Sequence, residues 1–241
     1  MAHATALTWA RPQRDQLNKI ADRRLYPRLS DPNFLVLRMR RIIFEKWIAG
    51  ISGEQLSILD VGGRYQPYRP LFETRYVRYT ACDIERTELV DVLGSGDSLP
   101  FAHNTFDVVI CTQVFECFAQ PRHAAKEIHA TLKPGGALLM SVASVAPRFT
   151  DIECWRFTPK GIRETLADFS EVTIVPETSS AGGILRTINL AAHSFLRSRT
   201  LKAAASVTVC PLLNLTGLAL EKLAVTSNDQ FTPNYSVFAI K

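Results

Sequence analysis

An apolar run, Ser57-Ile58-Leu59-Asp60-Val61, stops at Gly62-Gly63, and a second, Tyr79-Thr80-Ala81-Cys82, stops at Asp83. No other feature constrains this chain as much. An unbroken apolar run suits a strand buried on both faces, as strands of a parallel sheet are. A glycine pair behind it marks a turn where backbone comes close to something else. An acid closing the next strand, about 20 residues on, stands where Rossmann-like sheets grip a nucleotide ribose. The pattern predicts an adenosine-type ligand at the carboxyl ends of parallel strands.

From Ser57 onward, strand-like and helix-like segments alternate, which predicts a mostly parallel sheet with helices on its faces. Strands are expected at 57–61, 77–82, 89–93, 106–111, 136–143, 171–175 and 234–240. The connection between the second and third is only about six residues, too short for a crossover helix, so either the helix is missing or a strand is misplaced. One helix is expected over 121–132, opened by Pro121 and stopped by Lys133-Pro134-Gly135-Gly136; another runs from Thr158-Pro159 to Phe169. Asp31-Pro32 reads as a third helix start, with an apolar stripe from Phe34 to Ile48 and a stop at Gly50. The chain divides into an N-terminal helical cap (1–50), a cofactor-binding core (51–176), a helical insertion (177–233) and a last strand (234–241).

Apolar residues make up 46% of the 241 and charged residues 21%, which excludes a disordered chain. The first 30 residues are polar and arginine-rich, so no secretory signal is expected. The five cysteines have no paired spacing and read as free thiols in a reducing cytoplasm. The five histidines join no ligand cluster, so no metal is expected. The net charge of +5 is uneven. Residues 11–46 carry ten bases, Arg11 among them, against four acids, and no acid lies between Glu177 and Glu221, where Arg186, Arg197, Arg199 and Lys202 stand. Such segments are either solvated helix faces or surfaces that meet an anion. No aromatic-interleaved basic motif points to nucleic acid. The uncharged span Ala203–Leu220 holds Pro211, Asn214 and Gly217 and reads as a buried helical hairpin or a membrane-touching surface, a poor transmembrane helix in either case.

In order, the chain presents Ile58-Leu59-Asp60-Val61-Gly62, Cys82-Asp83-Ile84, Gly96-Asp97-Ser98-Leu99-Pro100-Phe101, Asn104-Thr105-Phe106-Asp107-Val108-Val109, Gln113-Val114-Phe115-Glu116 and Leu132-Lys133-Pro134-Gly135-Gly136. Together these resemble the class I S-adenosylmethionine-dependent methyltransferases, and within them the small-molecule branch called type 11, over about residues 55–175. The resemblance implies an α/β, Rossmann-like fold: a mostly parallel seven-stranded sheet with an antiparallel last strand and helical decorations. It implies S-adenosyl-L-methionine as cofactor. Gly62 and Gly63 would approach its methionine part, with Asp60 anchoring the turn and reaching the amino group. Asp83 would accept from the ribose hydroxyls, Ile84 would pack on adenine, and Asp97 would accept from the adenine amino group beside Ser98 and Leu99. Gln113 would lie by the sulfonium. Asp151-Ile152-Glu153-Cys154-Trp155-Arg156-Phe157-Thr158-Pro159 is similar to a segment of methyltransferases of polysaccharide and cell-envelope biosynthesis. Asp151 and Glu153 are thus candidate bases, with His103 and His123 as alternatives, and Trp155 and Arg156 are candidate acceptor contacts.

The chain departs from the family at the turn. Gly62-Gly63-Arg64-Tyr65-Gln66 replaces the usual Gly-x-Gly-x-Gly, so Arg64 must point away or meet the cofactor's carboxylate. The expected activity is O-methylation of a small-molecule or glycan-type acceptor of anionic character, in the cytoplasm and against the inner face of the membrane. The alternative is a non-catalytic methyltransferase-like module. A nicotinamide dehydrogenase would want glycine where Pro67 stands.

Overall fold

The computed structural model describes residues 13–223 and 228–241; Arg11 and the start of the N-terminal cap lie outside these. Seven strands form one sheet: β1 (Leu56–Val61), β2 (Tyr76–Asp83), β3 (Val92–Leu93), β4 (Phe106–Thr112), β5 (Leu132–Ala143), β6 (Glu171–Pro176) and β7 (Asn234–Ile240). Their order across the sheet is β3-β2-β1-β4-β5-β7-β6. The pairs from β3 to β5 are parallel, and β7 runs antiparallel to both its neighbours. This is the Rossmann-like arrangement the motifs implied.

Strand periodicity divides the core into two layers. Leu59, Val61, Val109 and Cys111 face one side, which is covered by α3 (Pro121–Thr131) and α4 (Pro159–Thr165). Ile58, Val108 and Ile110 face the other, where Ile43, Phe44 and Ile48 of α2 (Phe34–Gly50) cover them with Tyr68 and Phe72. Ahead of α2 lies α1 (Arg14–Leu25), and after β6 come α5 (Ser180–Phe195), α6 (Arg199–Val207) and α7 (Val209–Leu223).

Several boundaries differ from expectation. Residues 85–91 form turns, and the strand expected at 89–93 shrinks to Val92–Leu93, so both horns of the short-connection problem hold. The helix expected to start at Asp31-Pro32 starts at Phe34; the Asp31 carboxylate accepts from the Asn33 N–H at 2.8 Å instead. The glycine stop at 133–136 falls inside β5, with Gly135 at φ +74°, and α4 ends at Thr165, short of Phe169.

The hairpin of α6 and α7 breaks at Thr208, just before Pro211. It is not the buried hairpin expected. Only 22% of the apolar window in Arg199–Lys222 is buried. Its inner side holds the polar Asn214, which donates to the carbonyls of Leu29 and Asp31 at 2.8 and 2.9 Å and meets Asn189 at 3.4 Å. Its outer side shows Leu201, Val207, Leu212 and Leu215, all more than half exposed. By length and composition alone, Arg199–Lys222 would suffice to cross a membrane.

Candidate functional site

Five parallel strands, β1 to β5, end on one edge, and the sequence-selected residues lie on or beyond those ends. At the end of β1 the chain turns through Gly62 at φ +76°, a conformation that favours glycine. A Cβ there would collide with Val114, and one on Gly63 would come 2.7 Å from the Asp60 carbonyl oxygen. The turns after β1 and β4 are thus in contact. The Gly62 and Gly63 N–H groups both donate to the Cys82 carbonyl, at 2.8 and 3.3 Å, which ties the turn to β2.

Asp60 is 3% exposed and accepts from the Tyr79 hydroxyl at 2.7 Å. Burial, with Asp83 nearby, pushes its carboxyl up to about 7 against the pull of that hydrogen bond. Asp83 is buried at the end of β2; one oxygen accepts from the Glu85 N–H at 2.9 Å, and Arg64 Nε stands 3.4 Å from the other. Arg64 also pairs with Glu85. Its guanidinium therefore goes neither away from the site nor to the methionine end, but to the acidic corner formed by Asp83 and Glu85. Gln66 keeps the backbone a glycine would favour, at φ +49°, and turns its side chain inward to the Leu89 carbonyl and Arg69. Ile84 is 62% exposed.

The turn after β3 brings Asp97, Ser98 and Leu99 to the same edge. Asp97 Oδ1 is shielded from solvent and has no hydrogen-bond partner among the described residues. A buried carboxylate oxygen without a donor is costly, and a ligand N–H would satisfy it. Leu99 is buried, with its N–H on Glu127, and Ser98 is exposed. After β4, Gln113 sits at φ +56° and holds β5 through two contacts: its backbone N–H donates to the Ser141 carbonyl at 2.7 Å, and its amide to the Ser141 hydroxyl at 3.1 Å.

The loop from β5 to α4 carries the acceptor-side candidates. Glu153 accepts from the N–H groups of Phe149 and Thr150 and pairs with Arg156 at 2.5 Å. Burial alone would raise its carboxyl, but Arg156 and these donors outweigh that and hold it below the ordinary range. Arg156 also donates to the carbonyls of Ala146, Pro147 and Trp155. Both residues thus shape the loop, and Arg156 makes Glu153 a weaker base than a free carboxylate. Asp151 is exposed and lies 3.4 Å from Arg148. Trp155 is 44% exposed, with its indole N–H on the Phe118 carbonyl at 2.8 Å. His103 is exposed, and His123 is exposed in the first turn of α3.

Two features escaped the sequence reading. Glu116 is 4% exposed, its Oε2 has no partner among the described residues, and burial raises its carboxyl to about 7. Its carbonyl accepts from Cys154 and Trp155, joining the β4 end to the acceptor-side loop. Behind the edge lies a closed polar cluster. Arg40 on α2 donates to both oxygens of the fully buried Glu177, at 2.7 and 2.8 Å, and Glu177 also accepts from Ser141, Ser236 and Asn234. The signal was present: Arg40 falls four residues after Val36 and four before Phe44, on the apolar face of its helix.

Residues 59–140 match the family model Methyltransf_11, described as a methyltransferase domain. A stretch of 119 residues is 30% identical to the ubiquinone/menaquinone biosynthesis C-methyltransferase UbiE of Roseobacter denitrificans, covering 42% of this chain and 47% of that one. Another of 73 residues is 38% identical to the protein YafE of Escherichia coli, covering 30% and 34%. The chain thus spans less than half the length of these curated relatives. Among solved structures, the [4+2]-cyclase SpnF superposes with a TM-score of 0.52 at 16% identity, over 97% of each chain. The Haemonchus contortus phosphoethanolamine N-methyltransferase 2, bound to phosphomonomethylethanolamine and S-adenosylhomocysteine, gives 0.50 at 13%, over 87% of this chain and 59% of that one. These two likenesses show the fold. Residues 59–140 are thus similar to a methyltransferase domain.

Proposed function

We propose that the chain as a whole uses this domain to transfer a methyl group from S-adenosylmethionine to a hydroxyl of a small-molecule or glycan-type acceptor. One observation carries the cofactor half of the reading. The buried Asp83 carboxylate, the unpartnered Asp97 Oδ1 and the Gly62-Gly63 turn lie together at adjacent strand ends. Asp83 suits the ribose because a carboxylate accepts from two hydroxyls at once, and Asp97 suits the adenine amino group. The ionised form of Asp60 would draw the cofactor's ammonium. Ile84, exposed beside Asp83, offers an apolar face to adenine, flanked by Ser98 and Leu99.

When bound, the cofactor supplies an electrophilic methyl on a sulfonium. The protein's share is to hold the acceptor in line behind that methyl, where positioning does most of the work. Trp155, 44% exposed on the loop after β5, is a candidate acceptor contact. If the acceptor is a hydroxyl, its proton must pass to a base. Glu116, with one free oxygen and a carboxyl near neutrality, suits that task better than Glu153. The relative UbiE acts on carbon by its name, and a proton acceptor would serve a carbon as well as an oxygen nucleophile, so oxygen is this proposal's own assignment. The outward apolar side of α6 and α7, with Arg197, Arg199 and Lys202 near it, supports work in the cytoplasm against an anionic membrane face.

A non-catalytic module is favoured by one feature, the Arg64 guanidinium beside Asp83. Titration calorimetry with S-adenosylhomocysteine decides between the two. The expected outcome is binding, weakened by about 1–3 kcal/mol in Asp83→Ala because two hydroxyls lose their acceptor. No binding by the unaltered chain would establish the module; equal binding by Asp83→Ala would remove Asp83 from the site.

A further inference from the structure

Arg186, on α5, is 3% exposed, yet its only hydrogen bond among the described residues runs from Nε to the Asn33 side-chain oxygen at 3.0 Å. Nη1 is shielded from solvent with no partner among those residues. The outer edge of the guanidinium, which makes two parallel bonds to a carboxylate or phosphate, is therefore unused. The Phe149 ring, 54% exposed on the loop after β5, lies over it at 5.8 Å.

The surrounding charges do not neutralise it. Arg40, Glu177 and Asp31 are the charged groups acting on it. Arg40 is of like charge. Both Glu177 oxygens are taken by Arg40, Ser141, Ser236 and Asn234. Asp31 spends an oxygen on the Asn33 N–H and forms no ion pair with Arg186. Burying a cation without a counterion is expensive, and an arginine does not shed its proton to escape that cost. An anion arriving from outside would supply the missing partner. The place fits the acceptor: Arg186 follows β6, its cover is the acceptor-side loop, and the neighbouring Glu177 connects through Ser141 to Gln113.

We propose that Arg186 is the anion-binding residue of the acceptor site, taking a carboxylate or phosphate group of the acceptor on its free edge after Phe149 swings aside. This deepens the proposed function and rests on it for the word acceptor; the anion site itself does not. It also places selection for charge on the helical insertion, while the cofactor is held by the core.

Titration calorimetry with inorganic phosphate and, separately, acetate tests it on the full chain, with and without S-adenosylhomocysteine. Arg186→Gln should lower affinity for the preferred anion roughly tenfold or more, as expected for losing charge-assisted bonds. It should leave S-adenosylhomocysteine affinity unchanged. Phe149→Ala, at an exposed loop position, should tighten anion binding by removing the cover. The stronger of the two anions identifies a phosphorylated or a carboxylated acceptor. Phosphate and acetate binding that Arg186→Gln leaves intact, or that Phe149→Ala fails to strengthen, would overturn the proposal. Anion binding at Arg186 without any S-adenosylhomocysteine binding would uphold this site and defeat the methyltransferase reading of the whole chain.

Discussion

Glu177→Gln is the perturbation whose cost the structure lets one work out. Glu177 is fully buried, and Arg40, its partner across 137 positions, is 4% exposed. The substitution keeps the shape and deletes the charge. A glutamine oxygen can still accept from one or two donors, but its amide N–H groups would face donors on Arg40 or Asn234. Arg40 would then be a buried cation whose remaining partner is the Tyr68 hydroxyl at 3.4 Å. Removing one member of a buried pair costs about 3–5 kcal/mol. For a chain of this size each kcal/mol moves the melting temperature by roughly 2–4 °C, so a fall of about 6–20 °C is expected. Calorimetric melts of the unaltered and substituted chains measure it. The double change Arg40→Met with Glu177→Met should recover part of the loss, because an apolar pair has no charge to strand. A Glu177→Gln loss below about 1 kcal/mol would refute the argument, since it would mean that water already reaches the pair.

The Asp60 carboxyl stands at about 7 in the folded protein against 3.8 as its ordinary value. The folded state therefore keeps a proton that the unfolded chain gives up, and Asp60's contribution to stability is full below its ordinary value and lost as pH rises through about 7. Ligand affinity runs the other way, because only the ionised form attracts an ammonium. Affinity for S-adenosylhomocysteine should climb between about pH 6 and pH 8, with the climb reduced in Asp60→Asn; equal pH profiles would remove Asp60 from the amino-group site. The exposed side of α6 and α7 should bring the chain down with anionic vesicles at low salt, with about 1 kcal/mol per engaged base fading as salt rises. Failure to co-sediment at low salt would leave the apolar side to some other partner.

Much of the fold was legible because parallel strands are written as contiguous apolar runs. Leu59, Val109 and Leu138 sit in such runs, and the strands around them came out within a few residues of their observed ends. β3 was not legible, since two residues carry no period, and the one helix start that failed did so because Asp31 caps a turn instead of a helix, whereas those at Pro121 and Thr158-Pro159 held. The carboxylates Asp60, Asp83 and Asp97 stood out because each belongs to a short motif at or just beyond a strand end. The partner of Arg64 was not legible, because Glu85, which takes its side chain, lies two residues past Asp83 and outside any motif. The Arg40–Glu177 cluster was missed for a deeper reason. Its members come from α2, β5, β7 and the segment after β6, so no local window contains the pair, and only the sheet order brings them together.

That order sets the timetable on which the molecule can assemble. β6 has a single neighbour, β7, and β7 is the last strand to be made. While residues 177–233 are emerging from the ribosome, β1 through β5 can already pair, but β6 and the helices after it have no sheet edge to join. Arg40 waits as well, because Asn234 and Ser236, which complete the shell around Glu177, arrive with β7. The segment of α6 and α7 does not wait in the same way, because Asn214 docks it on the carbonyls of Leu29 and Asp31, which are made first, and its leucines stay outward before and after β7 arrives.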